Sequence, residues 1–288
     1  MLASLPRSPF ARGVYNAYVA LFIVYLALPL LVVAVFAFNN SMYPSLPWKG
    51  FTLTWFFGTK DPMLGLFNDP NVWRGMGNSL IVAVCTTTLA LLVGTTTSFL
   101  FERYEFPGKK FCHLLMLAPL VIPGVILGIS ILAFSSGIAN RLDDAFDVEI
   151  DWLRPGLFLV ILGQFSFIAT VATLVISARL RKFDRSLEEA AHDLGATPWE
   201  VLRTITLPYL RPALIGSGII SFLMSFENFN TTLMLVGSDP PLTITMFDRM
   251  KEGSTPLLNA VSLFLMLSSA TLGLISILAQ RDRSAAPQ

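Results

Sequence analysis

Long runs without a charged side chain constrain the fold of this chain more than any other feature. The first run covers residues 13–48, and four later runs cover residues 75–101, 111–140, 155–178 and 253–280. A further apolar segment, residues 212–236, contains a single charged residue, Glu227. About 20 apolar residues in a helix cross the hydrocarbon core of a bilayer, and a helix satisfies its own backbone hydrogen bonds there. The pattern predicts an all-α integral membrane protein with six transmembrane helices.

The composition agrees with this prediction. Only 14% of the 288 residues are charged and 54% are hydrophobic, whereas about 25% of residues are charged in soluble domains. Pro119 and Pro123 lie within the third span, and we expect a kink there, because proline removes a backbone hydrogen bond. We predict a single transmembrane domain over residues 1–288, with spans at about residues 16–38, 77–101, 112–135, 156–178, 212–236 and 257–280.

The distribution of basic residues between the loops predicts the orientation. Six spans place both termini on one side of the membrane, together with the segment between the fourth and fifth spans. That side carries 13 Lys and Arg residues, and the other side carries 7. Because cytoplasmic loops are enriched in Lys and Arg, we expect both termini and this segment to be cytoplasmic.

The segment at residues 186–208 is soluble in character and predicts two short helices with a sharp corner between them. Ser186 is a candidate N-cap, and Glu189 three residues later suits a capping box. Gly195 lies where a helix ends in the left-handed conformation. Thr197, Pro198 and Glu200 suit the start of a second helix. The first helix carries one apolar stripe, formed by Leu187, Ala190, Ala191 and Leu194.

Glu227 is the charged residue inside the fifth predicted span, in its outer half, and Asn228 and Asn230 flank it. A carboxylate within a span is costly and usually faces the interior of a bundle or a wet cavity. These three residues are therefore candidates for a substrate path. Two other interpretations stay open: a structural hydrogen bond to a neighbouring helix, and a position near the outer interface.

The sequence lacks the patterns of the common catalytic classes. There is no clustered Cys/His set for a metal, no Gly-rich Lys-Ser/Thr phosphate loop, and no nucleophile with an evident base. We therefore predict a protein that is not an enzyme and holds no cofactor. The net charge of +1 does not indicate a nucleic-acid partner.

The segment Glu189-Ala190-Ala191, followed by Gly195 and by Ile205-x-Leu207-Pro208, resembles the cytoplasmic EAA loop of ABC importer permeases. Asn78-Ser79-Leu80, Arg103 with residues 106–108, residues 119–128 and Ser225-Phe226-Glu227 resemble the polyamine (spermidine/putrescine) permease branch. That branch has Asp where this chain has Glu227, which keeps the charge and lengthens the side chain by one methylene.

The resemblance implies the type I ABC importer permease fold in a bacterial inner membrane. It implies a cytoplasmic ATPase dimer that binds ATP and Mg, a second similar permease subunit, and a periplasmic substrate-binding protein. The coupling residues toward the ATPase are then Glu188, Glu189, Ala190, Ala191, Leu194, Gly195 and Ala196. We expect the apolar stripe to be buried, partly against its own domain and partly against the ATPase.

The cargo implied is a small polar solute, a polyamine or a related amine, while amino acids and phosphonates stay open. Whether the second permease is a different chain or another copy also stays open. A different hypothesis is a self-contained ion-coupled carrier or channel, in which the helix pair is only a brace. A third is a membrane anchor for an ATPase. The absence of an evident internal repeat and the single clear intramembrane charge argue against the carrier.

Overall fold

A computed structural model describes residues 9–60, 63–147, 150–253 and 255–284, with side chains up to residue 271. The α-helices of the described chain are α1 (Pro9–Phe36), α2 (Thr54–Phe57), α3 (Pro70–Arg103), α4 (Lys109–Val121), α5 (Gly124–Phe146), α6 (Leu157–Leu180), α7 (Ser186–Asp193), α8 (Pro198–Val201), α9 (Leu207–Phe226), α10 (Asn230–Leu235), α11 (Leu242–Glu252) and α12 (Pro256–Ser284). Short 3₁₀ turns lie at Leu66–Asn68 and Asp151–Leu153, and a π turn at Leu202–Thr206. The prediction of an all-α chain is confirmed.

Five helical segments are long and apolar enough to cross a membrane: α1, α3, α5, α6 and the continuous stretch Pro198–Phe226. The sixth predicted span falls within α12, which is apolar but shorter over Pro256–Thr271. The count of six spans therefore stays a prediction. The chain divides into two compact units, which we describe separately.

The first unit contains α1, α2, the end of α11, and α12. Helices α1 and α12 pack together, and α12 also contacts α2. Trp55 and Leu66 are buried here, and the Trp55 indole N–H donates to the Asn39 carbonyl at 2.9 Å. The buried carboxylate of Asp69 pairs with Arg249 at 2.5 Å. Helix α1 has no buried residue within the described chain.

The second unit, Asn71–Thr245, is built around α6. Helix α6 is apolar on all sides and packs against α4, α5, α9 and α10. A helix of that kind belongs in the centre of a bundle, where every face is covered. Three core clusters follow its length, namely Val160 with Leu235, Ile168 with Ala90, and Leu180 with Leu210.

Two predicted spans are interrupted. In the third, α4 ends at Val121, Ile122 and Pro123 are extended, and α5 begins at Gly124, so the expected kink is a complete break. The fifth span was predicted at residues 212–236, but its helix begins at Pro198 and ends at Phe226, and α10 follows after a short gap. The helix in this region therefore does not follow residues 212–236, because hydropathy does not show where the backbone leaves the helix. The bounds of the membrane span itself stay a prediction.

Candidate coupling segment and substrate path

The corner between α7 and α8 closes as the sequence predicts. Gly195 has φ of +90°, which favours glycine because a side chain is strained there. Its N–H donates to the His192 carbonyl at 2.9 Å, and the Ala196 N–H donates to the Ala191 carbonyl at 3.0 Å. These two bonds form a Schellman motif, which satisfies the last carbonyls of α7 and gives the corner a defined shape.

The start of α7 differs from the prediction. Ser186 is the first helical residue and makes no capping bond with its side chain. Instead the Asp184 carboxylate accepts the Ser186 N–H at 3.0 Å, and this bond holds the pKa of Asp184 below its ordinary value. The predicted capping box of Ser186 and Glu189 is wrong, because Asp184 already occupies the free amide at the helix start.

The start of α8 confirms the prediction. The Thr197 hydroxyl accepts the Glu200 N–H at 3.4 Å, and the Glu200 carboxylate accepts the Thr197 N–H at 2.8 Å. This is a reciprocal capping box with Pro198 at the first helical position. Both ends of the corner are therefore held by local hydrogen bonds.

The helix pair carries large apolar side chains that no described part of this chain covers. Leu194 is 90% exposed and Trp199 is 66% exposed, and Leu187 is also exposed. Among the expected coupling residues, Glu189 and Ala190 are exposed, while Ala191 and Ala196 are half-buried. Within the described chain, Ala191 is the half-buried member of the apolar stripe, while Leu187, Ala190 and Leu194 are exposed. Burial of the stripe against an ATPase stays a prediction.

Glu188 faces the bundle instead. Its carboxylate pairs with the Arg103 guanidinium at 2.9 Å and accepts the Thr206 hydroxyl at 2.5 Å. Arg103 is the last residue of α3, and Thr206 precedes α9. One carboxylate on α7 therefore joins the ends of two long helices. Sequence reasoning singled out both Arg103 and Glu188 but did not pair them.

The last residues of α3 and α6 and the first residues of α9 contact one another and the segment that leads to the helix pair. The Arg185 guanidinium donates to the Glu102 carbonyl at 2.7 Å, and the Arg181 guanidinium pairs with the Glu102 carboxylate at 2.8 Å. The Arg179 guanidinium lies 4.1 Å from the centre of the Tyr209 ring. These contacts fix the segment that connects α6 to α7 on the ends of α3 and α9.

The candidate path residues divide into two kinds. Glu227 caps the C-terminus of α9, where its backbone N–H donates to the Leu223 carbonyl at 3.0 Å. The residue is exposed, and its carboxylate makes no hydrogen bond or ion pair within the described chain. Asn230 is also exposed, at the start of α10. Asn228 instead accepts the N–H of Thr232 at 3.2 Å and its hydroxyl at 3.1 Å. Asn228 has a structural role, because it begins the new helix.

A network of buried, hydrogen-bonded polar side chains lies at the break between α9 and α10. Gln164, in the middle of α6, is 1% exposed. Its amide nitrogen donates to the Thr232 hydroxyl at 2.9 Å, and its amide oxygen accepts the Ser225 hydroxyl. Thr232 in turn meets Asn228, whose carbonyl accepts the Thr243 hydroxyl at 3.1 Å. Buried polar groups need such partners, and here they hold both sides of the break to α6. Gln164 could have been noticed in the sequence, because it is the one amide side chain in the charge-free run of residues 155–178.

Small residues allow α10 to lie close to α5 and α6. A Cβ added at Gly163 collides with the Leu235 side chain, and one at Gly128 lies 2.8 Å from the Met234 Cβ. The Thr231 hydroxyl donates to the Gly124 carbonyl at 3.3 Å. The short helix that follows Glu227 is therefore fixed by close packing as well as by hydrogen bonds.

The part of the chain that the structure describes contains no group of three or more His, Cys, Asp or Glu residues arranged to hold a metal ion. The structure offers two candidate sites of another kind. One is the set of exposed apolar side chains on the hydrogen-bonded corner between α7 and α8, and the other is the exposed carboxylate of Glu227 at the end of α9.

Comparison with known proteins gives consistent matches. A family model described as "Binding-protein-dependent transport system inner membrane component" matches residues 94–281. The putrescine transport system permease protein PotI of Escherichia coli (strain K12) is 31% identical over 255 residues, which cover 88% of this chain and 85% of PotI. The spermidine/putrescine transport system permease protein PotC of the same strain is 27% identical over 285 residues, or 99% of this chain and 97% of PotC.

The fold also matches a solved structure. One chain in the crystal structure of a bacterial alginate ABC transporter, in complex with an alginate pentasaccharide-bound periplasmic protein, aligns with a TM-score of 0.75. The alignment covers 100% of this chain and 99% of that chain at 18% identity, so it shows the fold alone. The expected ABC importer permease fold is thereby confirmed. Because the family model covers more than half of the sequence, this chain belongs to the binding-protein-dependent transport system inner membrane components, and it is the multi-pass permease subunit of an ABC importer rather than an enzyme.

Proposed function

We propose that this permease forms half of an ATP-driven import path and that the α7–α8 corner couples it to a cytoplasmic ATPase dimer. The observation that carries the proposal is the exposed face formed by Leu187, Leu194 and Trp199 on a corner closed by hydrogen bonds. An apolar face of this kind in a soluble segment marks a protein interface. The Schellman motif at Gly195 and the capping box at Thr197 make the corner rigid enough to transmit a displacement.

The ATPase is a separate chain in this proposal. This sequence has no Gly-rich phosphate loop, so ATP and Mg bind to the partner ATPase and the permease itself holds no cofactor. Glu189 and Ala190 are exposed on the same helix and are placed to contact that partner, with Ala191, Gly195 and Ala196 shaping the corner. Coupling by this segment requires a cytoplasmic location, in agreement with the excess of Lys and Arg on that side. Both termini are then cytoplasmic as well.

A second permease subunit completes the path. Helix α1 is apolar and exposed around its described length, which suits contact with lipid and with a partner subunit. The alginate ABC transporter whose fold this chain shares was solved in complex with a periplasmic protein. By analogy we infer that a periplasmic binding protein delivers the cargo to this permease, whose second subunit is either a different chain or a further copy.

The cargo in this proposal is a polyamine or a related amine. The names of PotI and PotC are those of putrescine and spermidine permeases, and these proteins align over most of the chain. The exposed carboxylate of Glu227, which has no partner among the described residues, supplies a negative charge, and Asn230 on the following helix supplies an amide, for an ammonium group. Asn228 contributes by fixing the break between the two helices.

Reconstitution tests the proposal. The permease is assembled with its partner permease and ATPase in lipid vesicles, and uptake is measured with and without ATP and the binding protein. The solute is chosen beforehand by a thermal-shift screen of the binding protein against polyamines, amino acids and phosphonates. Uptake that needs both ATP and the binding protein supports the proposal, whereas uptake without either one indicates a self-contained carrier or channel. If no amine stabilises the binding protein, the polyamine assignment is wrong.

A further inference from the structure

The carboxylate of Glu188 has two partners on two different helices. Its Oε1 atom receives the Arg103 guanidinium at 2.9 Å and the Thr206 hydroxyl at 2.5 Å. Arg103 ends the 34-residue helix α3, and Thr206 lies at the start of the helix that ends at Phe226. Glu188 itself lies in the first turn of α7, whose opposite face is exposed.

This ion pair differs from an ordinary surface salt bridge. The side chains of Arg103 and Glu188 are 13% and 22% exposed, and Thr206 is buried. The guanidinium also lies 5.2 Å from the centre of the Phe183 ring. Exposed ion pairs contribute little because water screens them, whereas charge-assisted bonds that are shielded from water are stronger and more directional. The geometry at Glu188 therefore resists deformation.

The helix is irregular between α8 and α9, and Glu188 bonds to Thr206 at that point. The Leu207 N–H donates to the Leu202 carbonyl, five residues back, which makes one π turn. Pro208 follows and has no N–H to continue a regular ladder. Such turns lie often at functional positions in helices. Without a lateral connection, a displacement of the corner is absorbed in this turn before it reaches α9.

We propose that Glu188 is a positioning residue that transmits movement of the coupling corner to α3 and α9 through Arg103 and Thr206. The inference rests on the proposed coupling function. Helix α9 leads from Thr206 to Glu227, so the connection joins the ATPase-facing side of the permease to the candidate path. The ion pair is thus part of the transmission between the two sites and not only a contribution to stability.

The test needs a readout that does not depend on the identity of the cargo. Asn230→Cys is introduced with Cys85→Ala and Cys112→Ala, so that the exposed position 230 carries the one thiol. The complete permease–ATPase complex in lipid vesicles is labelled with a membrane-impermeant maleimide, with and without ATP. The ATP-induced change in labelling rate reports movement at the path. The Glu188→Gln variant keeps the shape of the side chain and removes its charge.

Two further variants make the comparison specific. Glu105→Gln is the matched control, because within the described chain the Glu105 carboxylate pairs only with Lys109, the first residue of α4, at 2.7 Å. The exchange of Arg103→Glu with Glu188→Arg restores an ion pair of reversed polarity. Thermal unfolding and co-purification of the ATPase are measured for every variant, because a purely structural role changes these two quantities.

We expect Glu188→Gln to retain the ATPase and to reduce the ATP-induced change in labelling about tenfold. The exchanged pair should recover most of that change, and Glu105→Gln should match the parent. An unchanged response in Glu188→Gln, or a loss of thermal stability with a normal response in the folded fraction, overturns the inference. If Glu188→Gln does not fold, a response in the exchanged pair as low as that of Arg103→Glu alone overturns it. If the proposed coupling function itself is wrong, Ala191→Glu, which places a charge at the corner, also leaves the ATP-induced change in labelling intact. This variant therefore distinguishes failure of the coupling function from failure of the proposed role of Glu188.

Discussion

The side-chain amide of Gln164 joins α6 to α10 through a 2.9 Å hydrogen bond to the hydroxyl of Thr232, 68 residues further along the chain. The same amide accepts the Ser225 hydroxyl at the end of α9. Both sides of the break around Glu227 are therefore tied to the central helix. A neutral hydrogen-bonded network can hold such a break in a membrane, where an unpaired polar group is costly.

Replacement of Gln164 by Leu should destabilise the protein, because the hydroxyls of Thr232 and Ser225 lose their partner. We expect a loss of about 1–2 kcal/mol in the free energy of unfolding, as for buried hydrogen bonds between membrane helices. Thermal unfolding in detergent measures the change. Thr88→Val is the control, because the exposed Thr88 hydroxyl bonds only within its own helix, to the Val84 carbonyl. A loss in Gln164→Leu no larger than that of the control contradicts the structural role of the network.

Close packing of α10 predicts a contrast between two glycines of the same helix. A Cβ at Gly128 lies 2.8 Å from the Met234 Cβ and 3.1 Å from the Thr231 carbonyl oxygen, whereas a Cβ at Gly137 meets nothing within 4 Å. Gly128→Ala should therefore cost about 1–3 kcal/mol of stability by overpacking, and Gly137→Ala should leave the unfolding midpoint nearly unchanged. Equal midpoints in the two variants contradict the packing.

The charge of Glu227 should matter for an amine cargo. Glu227→Gln keeps the size of the side chain and removes the carboxylate that we propose meets an ammonium group. We expect about tenfold less efficient uptake of putrescine, the loss of roughly one charge-assisted hydrogen bond, while the binding protein still stimulates ATP hydrolysis. Asp248→Asn is the control, because Asp248 is exposed and pairs with Lys251 in the same helix at 3.8 Å. Normal putrescine uptake in Glu227→Gln contradicts the assignment of Glu227 to the path.

Local features of the coupling corner could be predicted because their causes lie within a few residues. Gly195 follows an apolar stripe where a left-handed residue is needed, and the box of Thr197 and Glu200 needs only a spacing of three. The box at Ser186 failed because Asp184, two residues earlier, competes for the same amide. That competition depends on how the chain leaves α6, which spacing alone does not show.

Long-range features could not be predicted from the pattern. Arg103 and Glu188 are 85 residues apart, and their contact depends on how α3 and α7 pack at one end of the bundle. The break at Glu227 lies inside an apolar segment whose hydropathy is that of a continuous span. It arises because the Asn228 side chain accepts the Thr232 N–H and starts a new helix. Hydropathy places a segment in the membrane but does not determine its backbone path.

The rigid corner at Gly195 is the central claim, and the ratio of solute imported to ATP hydrolysed tests it most directly. Gly195→Pro removes the N–H that bonds to His192 and cannot adopt φ of +90°. The assembled complex, in vesicles and with the solute selected by the binding-protein screen, should still hydrolyse ATP but import at least about tenfold less solute per ATP. Ala191→Glu, which places a charge at the corner, should give the same result. A normal ratio in folded Gly195→Pro and Ala191→Glu complexes contradicts the coupling role of this segment.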